Sequence, residues 1–248
     1  MVDSRLAQTK RALVIQDYCC FGKCSLSIAQ PVLAAAGVQV TALPVAVFSA
    51  HTGYAEPVYR DLSGFAMEAV HHLAGLGAEF DAVFIGYLSS KNQFEAADEA
   101  VRLFGEKGAM LLIDPAMGDG GKLYQGVDPD LPALLTRLCA KADVLLPNLT
   151  EAALLLQIPY DTCLALPKGE RMDRLSALGP RQVVLTGVRD EGGYSTAVAS
   201  GGQITYLPNR RLPGQFHGTG DLFAAAMLGA MLCGFSAVNA ARIAGTFC

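Results

Sequence analysis

Short runs rich in β-branched and aliphatic residues recur along the chain at 11–16, 40–48, 80–86, 109–114, 143–147 and 181–186. Their length and near-continuous apolar character predict strands buried on both faces. Between them, residues 25–36, 61–76, 92–106 and 129–140 carry apolar positions at spacings of three and four, which predicts helices with one face in a core. Strand and helix alternate, and right-handed crossovers then require a mainly parallel sheet. Two further strands, 195–200 and 203–207, flank Gly201-Gly202, a hairpin signal that adds an antiparallel edge. Helices over 220–233 and 236–248 close the chain. The expected fold class is α/β: a central, mainly parallel sheet with helices on both faces and an antiparallel edge hairpin.

Composition narrows the class. The 248 residues are 52% apolar and 17% charged, which describes a large packed core. No repeat, low-complexity tract or linker divides them, so one domain over 1–248 is expected. A formal charge of -4 with no Lys/Arg block argues against a nucleic-acid partner. Mean hydropathy is +0.32, yet the longest nearly apolar stretch, 222–235, is interrupted by Gly and Cys and falls short of a membrane span, so no membrane partner is expected. Residues 1–10 are polar and lead into too short an apolar run for a signal peptide. Cys19, Cys20 and Cys24 have neither a second cluster nor a nearby His to complete a zinc site. The seven Cys therefore read as reduced thiols, and the expected location is the cytoplasm.

In open α/β sheets ligands bind beyond the carboxyl ends of the strands. Asp17 is expected to follow the first strand, His51 and Thr52 the second, Tyr87 the third, Asp114 and Asp119 the fourth, Asn148 and Glu151 the fifth, and Thr186 the sixth. The last loop carries the most specific chemistry. Gly218-Thr219-Gly220-Asp221 runs directly into a strong helix former, so backbone N–H groups at a positive helix end form an anion hole for a phosphoryl group. Asp221 beside it is the candidate general base for an attacking alcohol, although an Asp there also favours a helix N-terminus by charge alone. Glu151, Asp114 and Asp119 are candidate ligands, direct or through water, for the magnesium such a transfer needs. Asp114-Pro115 and Gly118-Asp119-Gly120-Gly121 are equally turn chemistry.

These motifs, in order, resemble the pyridoxal kinase branch of the ribokinase-like superfamily along nearly the whole chain. Asp114-Pro115-Ala116-Met117-Gly118-Asp119 resembles a D-P-V-[ML]-G-D motif, and Pro147-Asn148-Leu149-Thr150-Glu151 and Gly218-Thr219-Gly220-Asp221 are similar to kinase motifs that recur through that superfamily. Phe48-Ser49-Ala50-His51-Thr52-Gly53-Tyr54 and Gly86-Tyr87-Leu88-Ser89-Ser90 resemble motifs of the B6 branch. The resemblance implies ATP-dependent phosphorylation of the 5'-hydroxymethyl group of pyridoxal, pyridoxine or pyridoxamine, with Asp221 as base and Gly218, Thr219 and Gly220 as anion hole. It implies Asn148, Thr186 and Thr219 beside ATP, Glu151 and Asp114 managing Mg2+, and His51, Thr52, Tyr87 and Asp17 around the vitamin. A monovalent cation such as K+ is the candidate additional ion, and a homodimer is the implied assembly.

The sequence departs from the branch at Asp17, where better-known members carry Ser, and at Ser25-Leu26, where they carry Gly-Asn. Members also usually continue for another helical stretch past the position of Cys248. The 210–215 stretch is a candidate flap over ATP or an ordinary exposed loop. Two alternatives stand beside the B6 reading: a hydroxymethylpyrimidine kinase with the same fold and transfer, and a non-catalytic B6 or nucleotide binding protein. A dinucleotide-dependent dehydrogenase is excluded, because Asp17-Tyr18-Cys19-Cys20-Phe21-Gly22 stands where G-x-G-x-x-G belongs.

Overall fold

The computed structural model describes residues 9–190, 193–210, 214 and 216–248. Residues 211–213 and 215 of the candidate flap therefore lie outside the described residues. In chain order the elements are β1 (Arg11–Phe21), α1 (Leu26–Ala35), β2 (Gln39–Ala50), β3 (Tyr59–Asp61), α2 (Ser63–Gly75), β4 (Ala82–Ile85), α3 (Lys91–Phe104) and β5 (Met110–Ile113). There follow β6 (Gly118–Asp119), β7 (Lys122–Leu123), α4 (Leu131–Cys139), β8 (Val144–Leu145), α5 (Leu149–Leu155), α6 (Tyr160–Ala165) and α7 (Lys168–Ser176). The chain continues through β9 (Gln182–Asp190), β10 (Gly193–Ser200), β11 (Gln203–Asn209), α8 (Thr219–Leu232) and α9 (Ala237–Phe247).

Among the described residues one sheet runs in the order β11-β10-β9-β8-β5-β4-β1-β2-β3. The six strands from β9 to β2 are mutually parallel, and β10 and β11 add the expected antiparallel edge. The short β3 adds a second antiparallel edge beside β2. From β1 the chain first moves out to β2 and then crosses back to β4. The strand order therefore reverses between β1 and β4, which makes the crevice at their carboxyl ends the ligand position of such folds.

Alternation along β1 explains the two helical layers. Leu13 and Ile15 face a core that includes Val70 of α2, Phe94 of α3 and Leu135 of α4. Ala12 and Val14 face the other way, onto Leu33 of α1, Leu228 of α8 and Ala241 of α9. Burying such side chains contributes about 1.5–3 kcal/mol each. Helix α8 is apolar on every side, and a Cβ at Gly229 would lie 2.8 Å from that of Ala36, so the glycine sets how closely α8 approaches the end of α1. No helix among the described residues is long and apolar enough to cross a membrane.

The structure corrects several expectations. Strand β1 does not end at Gln16; it continues to Phe21, paired with β2, past a bulge between Gln16 and Tyr18. Asp17 thus lies within the strand, where a bulge re-aims side chains. Thr186 likewise lies inside β9, although beyond the last residue paired with β8. Each strand outruns one parallel neighbour, β4 for β1 and β8 for β9, so the apolar run that marks a doubly buried strand stops before the backbone pairing does. Helices α6 and α7 and the β6–β7 hairpin were also not anticipated.

Candidate active site

Two adjoining cavities occupy the carboxyl ends of the strands. The smaller, about 130 Å³, is lined by Asp17, His51, Thr52 and Tyr87 together with Gly218 and Asp221. The larger, about 300 Å³, is lined by Asp114, Asp119, Asn148, Glu151, Thr186 and the Gly218–Asp221 turn. Every residue expected at the site therefore lines one cavity or both. Asp221, Gly218, His217, Tyr124 and Ala116 border both spaces.

The turn before α8 leaves the start of the helix without a side-chain cap. Gly218 is the N-cap at φ 80° and ψ 4°. The first amides of a helix lack partners within it, and Thr219, Gly220 and Asp221 line the larger cavity. The two glycines serve different ends. A Cβ on Gly218 would collide with Ile28 and with the carbonyl oxygen of Lys23, whereas one on Gly220 would meet nothing. Gly218 is required by the fold, and Gly220 leaves open the space in front of the amides.

Asp221 sits in the first turn of α8. Burial pushes its carboxyl up to about 7, against a backbone hydrogen bond from Ser25 that favours the charged form and with repulsion from Asp17 adding to the rise. Asp17 is raised by burial too, eased by hydrogen bonds from Ser25 and Cys19. Burial raises Asp114 strongly, with Asp221 adding to the effect, and Glu151 is raised by burial and by Asp114. Neither cavity is lined by Lys or Arg among the described residues.

Glu151 has a structural role as well. Its Oε2 accepts the Asn148 N–H at 2.7 Å and its Oε1 accepts the Met117 N–H at 3.3 Å. Asn148 Oδ1 accepts the amides of Thr150 and Glu151 in return, which completes a capping box at the start of α5. Asn148 Nδ2 donates to the Gly118 carbonyl at 2.9 Å and so ties α5 to the β6–β7 hairpin. Asp119 caps its own turn by accepting the Gly120 N–H at 2.8 Å. Thr186 Oγ1 donates to the Pro147 carbonyl at 3.4 Å.

On the other side, His51 Nδ1 accepts the Gly53 N–H at 3.1 Å, so its proton resides on Nε2. Burial and the neighbouring His217 lower its pKa and so favour the neutral ring. The His51 ring lies 4.5 Å from that of His217 and 4.6 Å from that of Tyr54, tilted ring contacts that join the β2 loop to the glycine turn before α8. Tyr87 stands edge-on to Phe48 at 6.1 Å, and burial and Asp17 hold its hydroxyl protonated.

Sequence reasoning missed His217, Tyr124, Ser25 and the thiols Cys19 and Cys24, all of which line the smaller cavity. His217 immediately precedes the glycine turn, and Ser25 opens α1 where the branch carries Gly; both signals were present in the sequence. Tyr124 had none.

The sequence profile of the phosphomethylpyrimidine kinase family matches residues 60–248. A pyridoxal kinase of Deinococcus radiodurans is 31% identical over 240 residues, covering 90% of this chain and 79% of that protein. The solved pyridoxal kinase of Lactobacillus plantarum superposes with a TM-score of 0.87 at 34% identity, over 96% of this chain and 86% of its own. A Bacteroides thetaiotaomicron protein, assigned as a phosphomethylpyrimidine kinase and crystallised with pyridoxal, superposes at 0.90 with 30% identity, over 96% and 86%. The chain belongs to the phosphomethylpyrimidine kinase family and, within the ribokinase-like superfamily, to its pyridoxal kinase branch.

Proposed function

We propose that the protein transfers the γ-phosphoryl group of ATP to the 5'-hydroxymethyl group of a B6 vitamer (pyridoxal, pyridoxine or pyridoxamine), forming the 5'-phosphate. The observation that carries this reading is the position of Asp221 on the wall shared by a small, partly aromatic cavity and a larger one facing uncapped helix amides. An alcohol held in the first and a phosphate chain in the second meet at that carboxylate.

In this reading the vitamin ring lies against Tyr87, with His51 and Thr52 addressing its polar edge and Asp17 near the ring nitrogen. A carboxylate there favours a protonated nitrogen, and a protonated ring in turn restores the charge on Asp17. Asp221 accepts the proton of the 5'-hydroxyl as its oxygen attacks the γ-phosphorus, and a pKa near neutrality suits that task. The amides of Gly218, Thr219 and Gly220 hold the charge that develops on the transferred group. Asn148, Thr186 and Thr219 border the nucleotide.

Asp114, Asp119 and Glu151 offer hard oxygen donors around the larger cavity, which no Lys or Arg lines among the described residues. Among the described residues no three metal-ligating side chains converge into a cage, and both Glu151 oxygens already accept amides. That donor set fits Mg2+, which keeps most of its waters and takes its other oxygens from phosphates. The metal would neutralise phosphate charge, while Asp114 and Glu151 orient its waters. A monovalent cation such as K+, a cytoplasmic location, a homodimer and a single domain over 1–248 complete the proposal. Seven free thiols favour the reducing compartment.

The second reading, transfer to hydroxymethylpyrimidine, is favoured by the family profile itself. One assay separates the two: purified protein with ATP is offered each vitamer and hydroxymethylpyrimidine, with and without Mg2+, and products are identified by mass. Mg2+-dependent phosphorylation of a vitamer is expected. Phosphorylation of the pyrimidine alone would move the substrate assignment to that ring, and binding of pyridoxal without ATP consumption would reduce the protein to a binder.

A further inference from the structure

Two thiols on the wall of the smaller cavity have no part in that transfer. Cys24 Sγ lies 3.7 Å from Cys19 Sγ, and the Cys19 thiol donates to Asp17 Oδ2 at 3.2 Å. The backbone explains their closeness. After the bulge in β1 the chain reverses through Gly22, at φ 72°, and Ser25 returns to form an antiparallel bridge with Tyr18. The next facing pair, one step toward the reversal, is Cys19 with Cys24. Opposed antiparallel residues have Cα atoms about 4.5–5.5 Å apart, within the roughly 4.4–6.8 Å that a disulfide spans. Closing the bond is then mainly a matter of bringing the sulfurs from 3.7 Å to about 2 Å.

The pair is also asymmetric. Cys19 is 3% exposed, and its bond with Cys24, burial and the Asp17 charge hold its thiol well above the usual range. Cys24 is only partly buried and borders the cavity, where a small oxidant reaches it.

We propose that Cys19 and Cys24 form a reversible, peroxide-oxidised disulfide that switches off transfer at this site. Its effect on turnover, though not its formation, rests on the activity proposed above. In the first step the Cys24 sulfur attacks hydrogen peroxide: an S–O bond forms, the O–O bond breaks, and Cys24 becomes a sulfenic acid as one water leaves. In the second, the Cys19 sulfur attacks the Cys24 sulfur. The S–S bond forms, the S–O bond breaks, and the Cys19 proton passes to Asp17 and on to the departing hydroxide, which leaves as water. Two thiols and one peroxide give one disulfide and two waters. Such transient disulfides are the kind a reducing compartment tolerates.

The link reaches the chemistry through the neighbouring backbone. The amide of Ser25, next to Cys24, favours the charged form of Asp221, while Lys23 and Cys24 pack directly against Gly218. Any adjustment Cys24 makes as the bond closes is therefore passed to the base and to the turn at Gly218 together.

To test this, the full chain is treated with hydrogen peroxide, remaining thiols are alkylated, and non-reduced peptides are mapped by mass while the kinase rate is followed. A Cys19–Cys24 cross-link, lighter by two hydrogens, is expected to form as the rate falls at least about tenfold, and dithiothreitol should reverse both. Cys24→Ser should form no such link and keep its own untreated rate after peroxide. Cys20→Ser, which removes an exposed thiol on neither cavity wall, should respond like the parent. The peptide map does not depend on turnover, so if no vitamer is phosphorylated the cross-link is still scored. Switching is then read from the melting shift that pyridoxal produces in reduced and oxidised protein. Thiols left unlinked by peroxide, a link through Cys20 instead, or a Cys19–Cys24 link that changes neither rate nor ligand shift would overturn the proposal.

Discussion

The backbone amide of Ser25 lies beside the carboxylate of Asp221 and favours its charged form, and Ser25 stands there at φ 50° and ψ -130°, a backbone region that suits glycine and strains any other residue. Holding a serine there costs on the order of 1–3 kcal/mol, part of which glycine's extra freedom in the unfolded chain offsets. Ser25→Gly should therefore stabilise the protein by about 1 kcal/mol and raise its melting temperature by about 2–4 °C. The Ser25 side chain also bonds Asp17. A lower melting temperature would show that this bond outweighs the strain.

Asp221→Asn should lower turnover by about a hundredfold or more while leaving ligand binding in place. Near wild-type rates would remove Asp221 from the role of base.

The same carboxylate sets a pH dependence. Its folded pKa of about 7 lies above the ordinary 3.8, so between those values the folded chain holds a proton that the unfolded chain has released. The linked stability is complete below 3.8 and is lost as pH rises through about 7; Asp114 and Glu151 act in the same direction. The ligand-free melting temperature should fall between about pH 5 and about pH 8, and fall less in Asp221→Asn. A wild-type curve parallel to that of the variant would contradict the shift.

Gly218→Ala and Gly220→Ala should part company. The first forces a Cβ into Ile28 and Lys23 at positive φ, so it should cost about 2–4 kcal/mol and activity together. The second meets empty space, so it should fold normally but raise the KM for ATP. Equal thermal stability of the two proteins would refute the distinction.

Glu151→Gln retains an oxygen for the capping box and removes the charge, whereas Glu151→Ala loses both. The glutamine variant keeps one of the two acceptors, so the alanine variant should be the less stable of the two by about 1 kcal/mol. In kinetic assays both should require about 10–100 times more Mg2+. Unchanged Mg2+ dependence would confine Glu151 to its capping role.

Much of this was legible in the sequence because the doubly buried strands read as apolar runs and the loops beyond them carry polar residues. Where those two signals separate, legibility fails. Residues 17–21 continue β1 with Asp, Tyr and Cys because beyond the bulge they no longer lie between two parallel neighbours. Asp17 therefore marks the end of the apolar run, not the end of the strand. The site residues that went unnoticed are drawn in by tertiary approach: His217 stacks on His51 across 166 positions of chain, and Tyr124 reaches both cavities from a short hairpin. The close pairing of Cys19 with Cys24 needs the reversal at Gly22, which no apolar period announces.

Helix α8 carries the proposed base and anion hole on a rod enclosed by other helices and the sheet. Gly229 is eight residues beyond Asp221, about 12 Å along the axis, and touches no ligand, yet a methyl group added there would press on Ala36 and tilt the rod. A displacement too small to unfold the protein is enough to move a carboxylate off the line of transfer. Tolerance to mutation is consequently graded by leverage on this helix more than by distance from the substrate, and a silent-looking glycine deep in the interior is a place where catalysis fails before folding does.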